Sequence, residues 1–188
     1  MTAREAVRRP LAAATIVILI VLTVLMSRVV FTQRPRVSPR GTVKAEIEGC
    51  AISIEYGRPY RKGRTIWGGL VPWNHWWMPG ADEASSITTN ATIVFADAIT
   101  MPAGVHTIYT LPGPDDFKLI ISNETGQFHT QYHPDRDLGR VSMTLRKLDE
   151  LVEQLTFAVE PGPGGGGTFK LIWDDREYSV PIVVRRRP

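Results

Sequence analysis

Two patterns of apolar residues divide the chain. The first is unbroken: residues 11–26 read LAAATIVILIVLTVLM, without a charge and with two threonines as the only polar side chains. Ser27 and Arg28 interrupt the run, and Val29, Val30 and Phe31 prolong it. An amphipathic helix of a soluble domain keeps one polar face, and this run has none. Sixteen helical residues reach about 24 Å and twenty-one about 31 Å, against a hydrocarbon core of roughly 30 Å. With Arg28 snorkelling to the interface, residues 11–31 predict a transmembrane helix.

The second pattern alternates. Val141/Met143/Leu145, Leu155/Phe157/Val159, Phe169/Leu171/Trp173 and Val180/Ile182/Val184 each repeat every two residues, the period of a half-buried strand. Strands are predicted over 42–47, 51–56, 86–95, 104–111, 117–122, 140–145, 155–160, 168–173 and 177–184. Turn chemistry separates them at Asn90, Pro102-Ala103-Gly104, residues 112–116, the glycine-rich residues 160–167, and Asp174-Asp175. Only residues 147–153 read as a helical turn. Short strands without intervening helices predict an all-β domain, an antiparallel β-sandwich of jelly-roll type. The organisation is then a basic tail (1–10), a transmembrane signal-anchor helix (11–31), a polar linker with two prolines (32–41), the β-sandwich (42–184) and a basic tail (185–188).

Charge sharpens this division. Residues 1–40 hold seven arginines and one acid, so the other 148 of the 188 residues are net −3 although the whole chain is +3. A nucleic-acid binder carries its basic stripe on the folded domain, so nucleic acid is excluded as the expected partner. No A-x-A cleavage pattern follows the apolar run, which favours a retained anchor over a cleaved signal. A short tail before a signal-like run is the usual export arrangement. The expectation is a single-pass membrane protein with its domain on the extracytoplasmic side, although basic residues flank both ends of the span.

The chemistry concentrates in residues 56–88. Four of the five tryptophans (Trp67, Trp73, Trp76, Trp77) fall within eleven residues, beside Arg58, Arg61, Lys62, Arg64, His75, Asp82 and Glu83. Long irregular segments of this kind are often functional loops on a rigid scaffold. Arg58, Lys62 and Arg64 suit an anion pocket, and Trp67, Trp73 and Trp77 suit a stacking platform; packing into the core is the competing use of the tryptophans. Together these six are the expected ligand-binding residues. His75 with Asp82 or Glu83, aided by Arg58, is the weaker candidate for acid–base catalysis of hydrolase or isomerase type. Asp82 and Glu83 are adjacent and point to opposite faces of an extended segment, so they do not pair as two cooperating carboxylates.

Other signatures are missing. His75, His106, His129 and His133 form no H-E-x-x-H or comparable metal motif, so no metal is expected. The single cysteine, Cys50, excludes a disulfide framework and sits in a strand-like setting. Residues 161–167 (PGPGGGG) lack the G-K-[ST] of a phosphate loop and open a strand. No nucleotide, kinase or catalytic-triad pattern occurs, and no cofactor is expected.

The motifs Tyr56-Gly57-Arg58-Pro59, Lys62-Gly63-Arg64, Ile66-Trp67-Gly68, Leu70-Val71-Pro72 and Gly80-Ala81-Asp82-Glu83-Ala84 are followed by Pro102-Ala103-Gly104 and Tyr109-Thr110-Leu111-Pro112-Gly113. With a closing hairpin over 167–182, they resemble a bacterial, mostly exported domain-of-unknown-function family numbered twenty-nine eleven. The likeness covers residues 45–184. It implies a β-rich exported domain with no assigned activity. Members of that family commonly carry Trp-Arg and Asn-Glu-Ala where this chain reads Trp77-Met78 and Asp82-Glu83-Ala84. Three roles follow for the chain: a module binding a small molecule or protein, an enzyme, or a structural envelope component.

Overall fold

The computed structural model describes residues 19–20, 37–128 and 130–185. The predicted basic tail, the anchor apart from Leu19 and Ile20, most of the linker, His129 and the terminal arginines Arg186 and Arg187 lie outside them. Among the described residues no helix is long and apolar enough to cross a membrane. Residues from Ser38 onward form one compact unit.

That unit is all-β. Its nine strands are β1 (Arg40–Ile47), β2 (Cys50–Gly57), β3 (Ser86–Thr89), β4 (Thr92–Phe95), β5 (Ile99–Met101), β6 (Gly104–Leu111), β7 (Phe117–Ser122), β8 (Asp137–Pro161) and β9 (Gly166–Arg185). They make one sheet in the order β1-β2-β3-β6-β7-β8-β9-β4-β5, every pair antiparallel. The only described helix besides Leu19–Ile20 is a 3-10 turn at Pro134–Arg136.

The alternation sets the register. Val43 faces Ile54, Ala45 faces Ile52 and Ile47 faces Cys50, so one parity of the β1–β2 hairpin lines the core. Glu48 (φ 48°) and Gly49 (φ 78°) close that hairpin, both in the left-handed region that a two-residue primed turn requires. All nine strands contribute to the main apolar core, which includes Ile54, Ile87, Ile108, Leu119, Phe157, Phe169 and Trp173. The sheet bends so that β2 meets β8 across this core. The Phe157 N–H donates to the Tyr56 hydroxyl at 3.1 Å, and the two rings meet edge to face at 4.8 Å.

Three sequence expectations are corrected. The predicted strand 86–95 is two strands, because Asn90 and Ala91 carry the chain from β3 beside β6 to β4 beside β9. The strands predicted over 140–145 and 155–160 are one, β8, and residues 147–153 are extended rather than helical. The register with β9 slips between Lys147 and Val152 and again before Thr156. Within the second slip, the chain after β2 takes over the pairing: Arg61 N–H donates to the Glu153 carbonyl (2.7 Å) and Leu155 N–H to the Pro59 carbonyl (3.1 Å). A long-range partner thus fixes a segment that local propensity leaves open. Likewise 168–173 and 177–184 are one strand, β9, with Asp174 at φ 53° absorbing the irregularity. β5, three residues long, is an addition to the predicted set.

Candidate functional site

The chemistry-rich segment links β2 to β3, and the bend of the sheet splits it into two environments. Its first part runs beside β8. Arg58 donates from Nε to the Leu155 carbonyl (3.2 Å) and from Nη2 to the Thr156 hydroxyl (2.9 Å). Arg64 donates to the carbonyls of Arg61 and Tyr60, closing its own turn. Lys62 is exposed; its backbone N–H donates to the Glu153 carboxylate (2.8 Å), and its ammonium lies 5.9 Å from the Tyr60 ring. Arg58 therefore straps β2 to β8, while half-buried Arg61 is ion-paired with buried Asp174. The Arg61 Nε stands 2.5 Å from the Asp174 carboxylate, with the two side chains 28% and 13% exposed.

The tryptophans follow the same division. Trp67 is buried and stacks nearly parallel to Trp73 at 6.4 Å, with Phe117 and Tyr178 edge-on to it. The Arg176 guanidinium lies over both indoles, 5.6 Å and 5.3 Å from their centres, and donates to the Tyr178 hydroxyl at 3.0 Å. Burial pushes the Tyr178 phenol up, partly offset by that hydrogen bond. Gly68 fits here for two reasons: its φ is 77°, and a Cβ would strike the Trp73 indole. Trp77 is half-buried and stacks on buried Trp173 at 6.0 Å. Trp67, Trp73 and Trp77 are all packed against the main core.

Trp76 turns to the other face. Tyr109 on β6 and Ile120 on β7 are cross-strand partners, and with Met78 they form a second apolar cluster. Their neighbours Ile108, Leu119 and Ile121 point into the main core, so these strands are covered on both sides. Trp76 lies over this cluster, 6.0 Å from Tyr109 and 5.2 Å from Tyr132. Met78 is 5% exposed there.

A polar network rims this cluster. The Tyr109 hydroxyl donates to the Gln131 carbonyl (2.7 Å) and accepts from Gln127 Nε2 (2.9 Å). Tyr132 donates to Asp137 Oδ2 (2.7 Å), which also accepts from Arg140 Nε (3.0 Å). Burial, reinforced by the Asp137 carboxylate, pushes the Tyr132 phenol well above its ordinary range; burial raises Tyr109 too, against the Gln127 hydrogen bond. His133 meets the Glu124 carboxylate at 2.8 Å.

Beside this network opens a hollow of about 430 Å³, within the range of small-molecule pockets. Glu83 lines it, ion-paired with Arg40 at 2.7 Å, together with Val105, Thr107, Gln127 and Phe128. Val105 and Phe128 are 49% and 59% exposed. Of the acid–base candidates, Glu83 stands at this hollow, exposed Asp82 sits in a left-handed turn at φ 68°, exposed His75 meets the Trp76 carbonyl through Nδ1 (2.8 Å), and Arg58 is tied to β8. A larger cleft, about 630 Å³, lies near buried Cys50, Asn90 and Arg185. Among the described residues, no three His, Cys, Asp or Glu side chains are grouped to hold a metal ion.

A family model described as a protein of unknown function (DUF2911) matches residues 38–182, which hold every described strand except the last three residues of β9. This chain belongs to DUF2911. No curated protein and no solved structure matches it. In this DUF2911 domain, sequence reasoning did not single out Asp174, Arg176, Tyr109, Gln127, Tyr132, Asp137 or Arg140 as site residues. The outer cluster had a signal: Ile108-Tyr109 and Leu119-Ile120-Ile121 place apolar residues on both parities, the mark of a strand covered on both faces. The Arg61–Asp174 pair had none, since its members are 113 positions apart.

Proposed function

We propose that this DUF2911 domain is a binding module, a β-sandwich of jelly-roll type that receives a small molecule in the hollow beside Glu83. The observation that carries the reading is the make-up of that hollow: exposed apolar Val105 and Phe128 beside half-buried Gln127 and buried Thr107, with a charge pair also lining it. Apolar surface with a few placed polar groups is how such sites combine affinity with orientation. The hollow adjoins the end of the tryptophan-rich segment and is rimmed by the segment 125–128, so both of its loops rest on strands packed from two sides. The proposal includes a single-pass anchor at residues 11–31, supported by the uncharged apolar run, with the domain held extracytoplasmically.

The test is a thermal-shift screen of the full chain in detergent against sugars, nucleotides, carboxylates and metal ions. A ligand at about 100 times its Kd adds roughly 2.7 kcal/mol of stability, a clear rise in melting temperature. One class raising it supports binding. No response to any class sinks the proposal. Protease accessibility in intact cells checks the anchor: digestion of the domain without breaking the membrane is expected.

A further inference from the structure

We infer that the open edge of β1 pairs with the same edge of a second copy of this chain, antiparallel and two-fold symmetric, with the axis at Val43. This goes beyond the binding reading above and does not depend on it.

The first argument is the backbone. Among the described residues the sheet ends in β1 and β5. β5 is only three residues long, and Gly139 of β8 packs closely against its Ile99. β1 has eight residues and pairs along one side, with β2. Ile47 and Cys50 flank the two-residue turn, so they exchange both hydrogen bonds of a closing pair. Alternation then gives the N–H and C=O groups of Gly41, Val43, Ala45 and Ile47 to β2. The Arg58 N–H, donating to the Pro39 carbonyl at 2.7 Å, keeps the same parity one step beyond the strand. The backbone groups of Thr42, Lys44 and Glu46 therefore point away from β2, and such a row is a template for another strand.

The second argument is charge, which chooses both the occupant and the register. Arg40, Thr42, Lys44 and Glu46 are exposed on one face of β1. The open-edge groups of two copies meet only in registers that set even-numbered residues opposite even-numbered ones. An axis at Thr42 sets Arg40 opposite Lys44 of the second copy, and an axis at Lys44 sets lysine against lysine; like charges directly opposite are destabilising. An axis at Val43 sets Arg40 opposite Glu46 and Thr42 opposite Lys44, twice over, and aligns residues 40–46 of both copies. An axis at Ala45 also sets opposite charges together, Lys44 against Glu46, but aligns only residues 43–47 of the strands. Arg40 already meets Glu83 at 2.7 Å, and a guanidinium has donors enough for a second carboxylate. The edge is thus complementary to itself, as a two-fold contact requires.

The third argument is burial. On the core side, Val43 and Ala45 are packed against the main core yet stay half-buried, while their partners on β2, Ile54 and Ile52, are fully covered. A strand laid along the edge supplies the missing neighbours. At the axis the two Val43 side chains form a non-hydrogen-bonded cross-strand pair, the closer of the two kinds.

The experiment measures the mass of the full chain in detergent by light scattering over a range of concentrations. A dimer is expected. Thr42→Pro removes an edge-facing N–H and no bond to β2, and Glu46→Arg sets a like charge opposite Arg40; each is expected to weaken the dimer tenfold or more with an unchanged melting temperature. Cysteine cross-linking under mild air oxidation reads the register, with the parent chain and its buried Cys50 as the control. Val43→Cys is expected to link to itself at least tenfold faster than Thr42→Cys or Lys44→Cys alone, because about 4.5 Å separates Cα atoms in such a pair, within the reach of a disulfide. Mixing Thr42→Cys with Lys44→Cys chains is expected to restore fast linking. A chain that is monomeric at every concentration overturns the inference. So does a dimer that Thr42→Pro and Glu46→Arg both leave intact, which places the contact elsewhere. Equal linking rates at positions 42, 43 and 44 overturn it as well.

Discussion

The two aromatic groups made from one short run of tryptophans differ in what completes them. The inner group, Trp67, Trp73 and Trp77 with Trp173, Phe117 and Tyr178, is held by ring-on-ring contact and a guanidinium lying over two indoles. The outer group, Trp76 with Tyr109 and Tyr132, is completed by hydroxyls that each serve as donor and acceptor. The contrast teaches that aromatic density in a sequence does not by itself mark a site. The inner rings stabilise; the outer ones also organise polar atoms next to an open hollow.

The largest expected effect tests the inner group. Trp173 is fully buried, and Trp173→Ala should cost about 3–5 kcal/mol in a denaturant melt, as large aromatic deletions in cores do. A cost below about 1 kcal/mol would show that the stack does not hold the fold. For the outer group the decisive change is a single oxygen. Tyr109→Phe keeps the ring but strands Gln127 Nε2 and the Gln131 carbonyl, so a loss of about 1–3 kcal/mol is expected. A neutral result would erase the distinction between the groups.

A smaller effect comes from the pair joining β8 to β9. Hydrogen bonding from Arg146 holds the Glu177 carboxyl below the ordinary glutamate range. The folded chain therefore gives up that proton more readily than the unfolded one. The pair's contribution is complete above the unfolded value of 4.5 and is lost as pH falls through the lower folded value. Arg146→Met should flatten this acid limb in melts between pH 5 and pH 3 and lower stability at pH 7 by the same amount, a small one because the arginine is well solvated. The smallest effect belongs to Phe128. Being 59% exposed, its replacement by alanine should move stability by no more than about 0.5 kcal/mol, so any lost ligand binding is read without a folding artefact.

Most strands were legible because period-two alternation survives wherever one sheet face is wet, as in Phe169/Leu171/Trp173. Residues 147–153 misled for a physical reason: Leu148, Asp149, Glu150 and Leu151 have no alternation and fall in the register shift of β8 against β9, and the pairing that resumes at Val152 and Glu153, with Asp174 and Arg61, comes from distant segments. The candidate site was half legible. Glu83 could be picked out by type, but its neighbours Val105, Gln127 and Phe128 arrive from two other segments, brought together by the pairing of β3 with β6 and the bridge between Glu83 and Phe128. Arg58 and Arg64 looked like anion binders because local sequence does not reveal that carbonyls on β8 and in their own turn await them.

The length of β8 has a mechanical meaning. One strand of 25 residues neighbours β7 along its first part and β9 along the rest. It therefore acts as a shared girder: neither flank of the sheet can peel away without unzipping the other's last neighbour. A fold joined in this way melts as a single cooperative body and assembles slowly, because distant stretches of chain must meet before any of it pays back. Nicking the girder near Thr144, where its allegiance changes from one neighbour to the other, would leave two fragments that must find each other again to hold any shape at all.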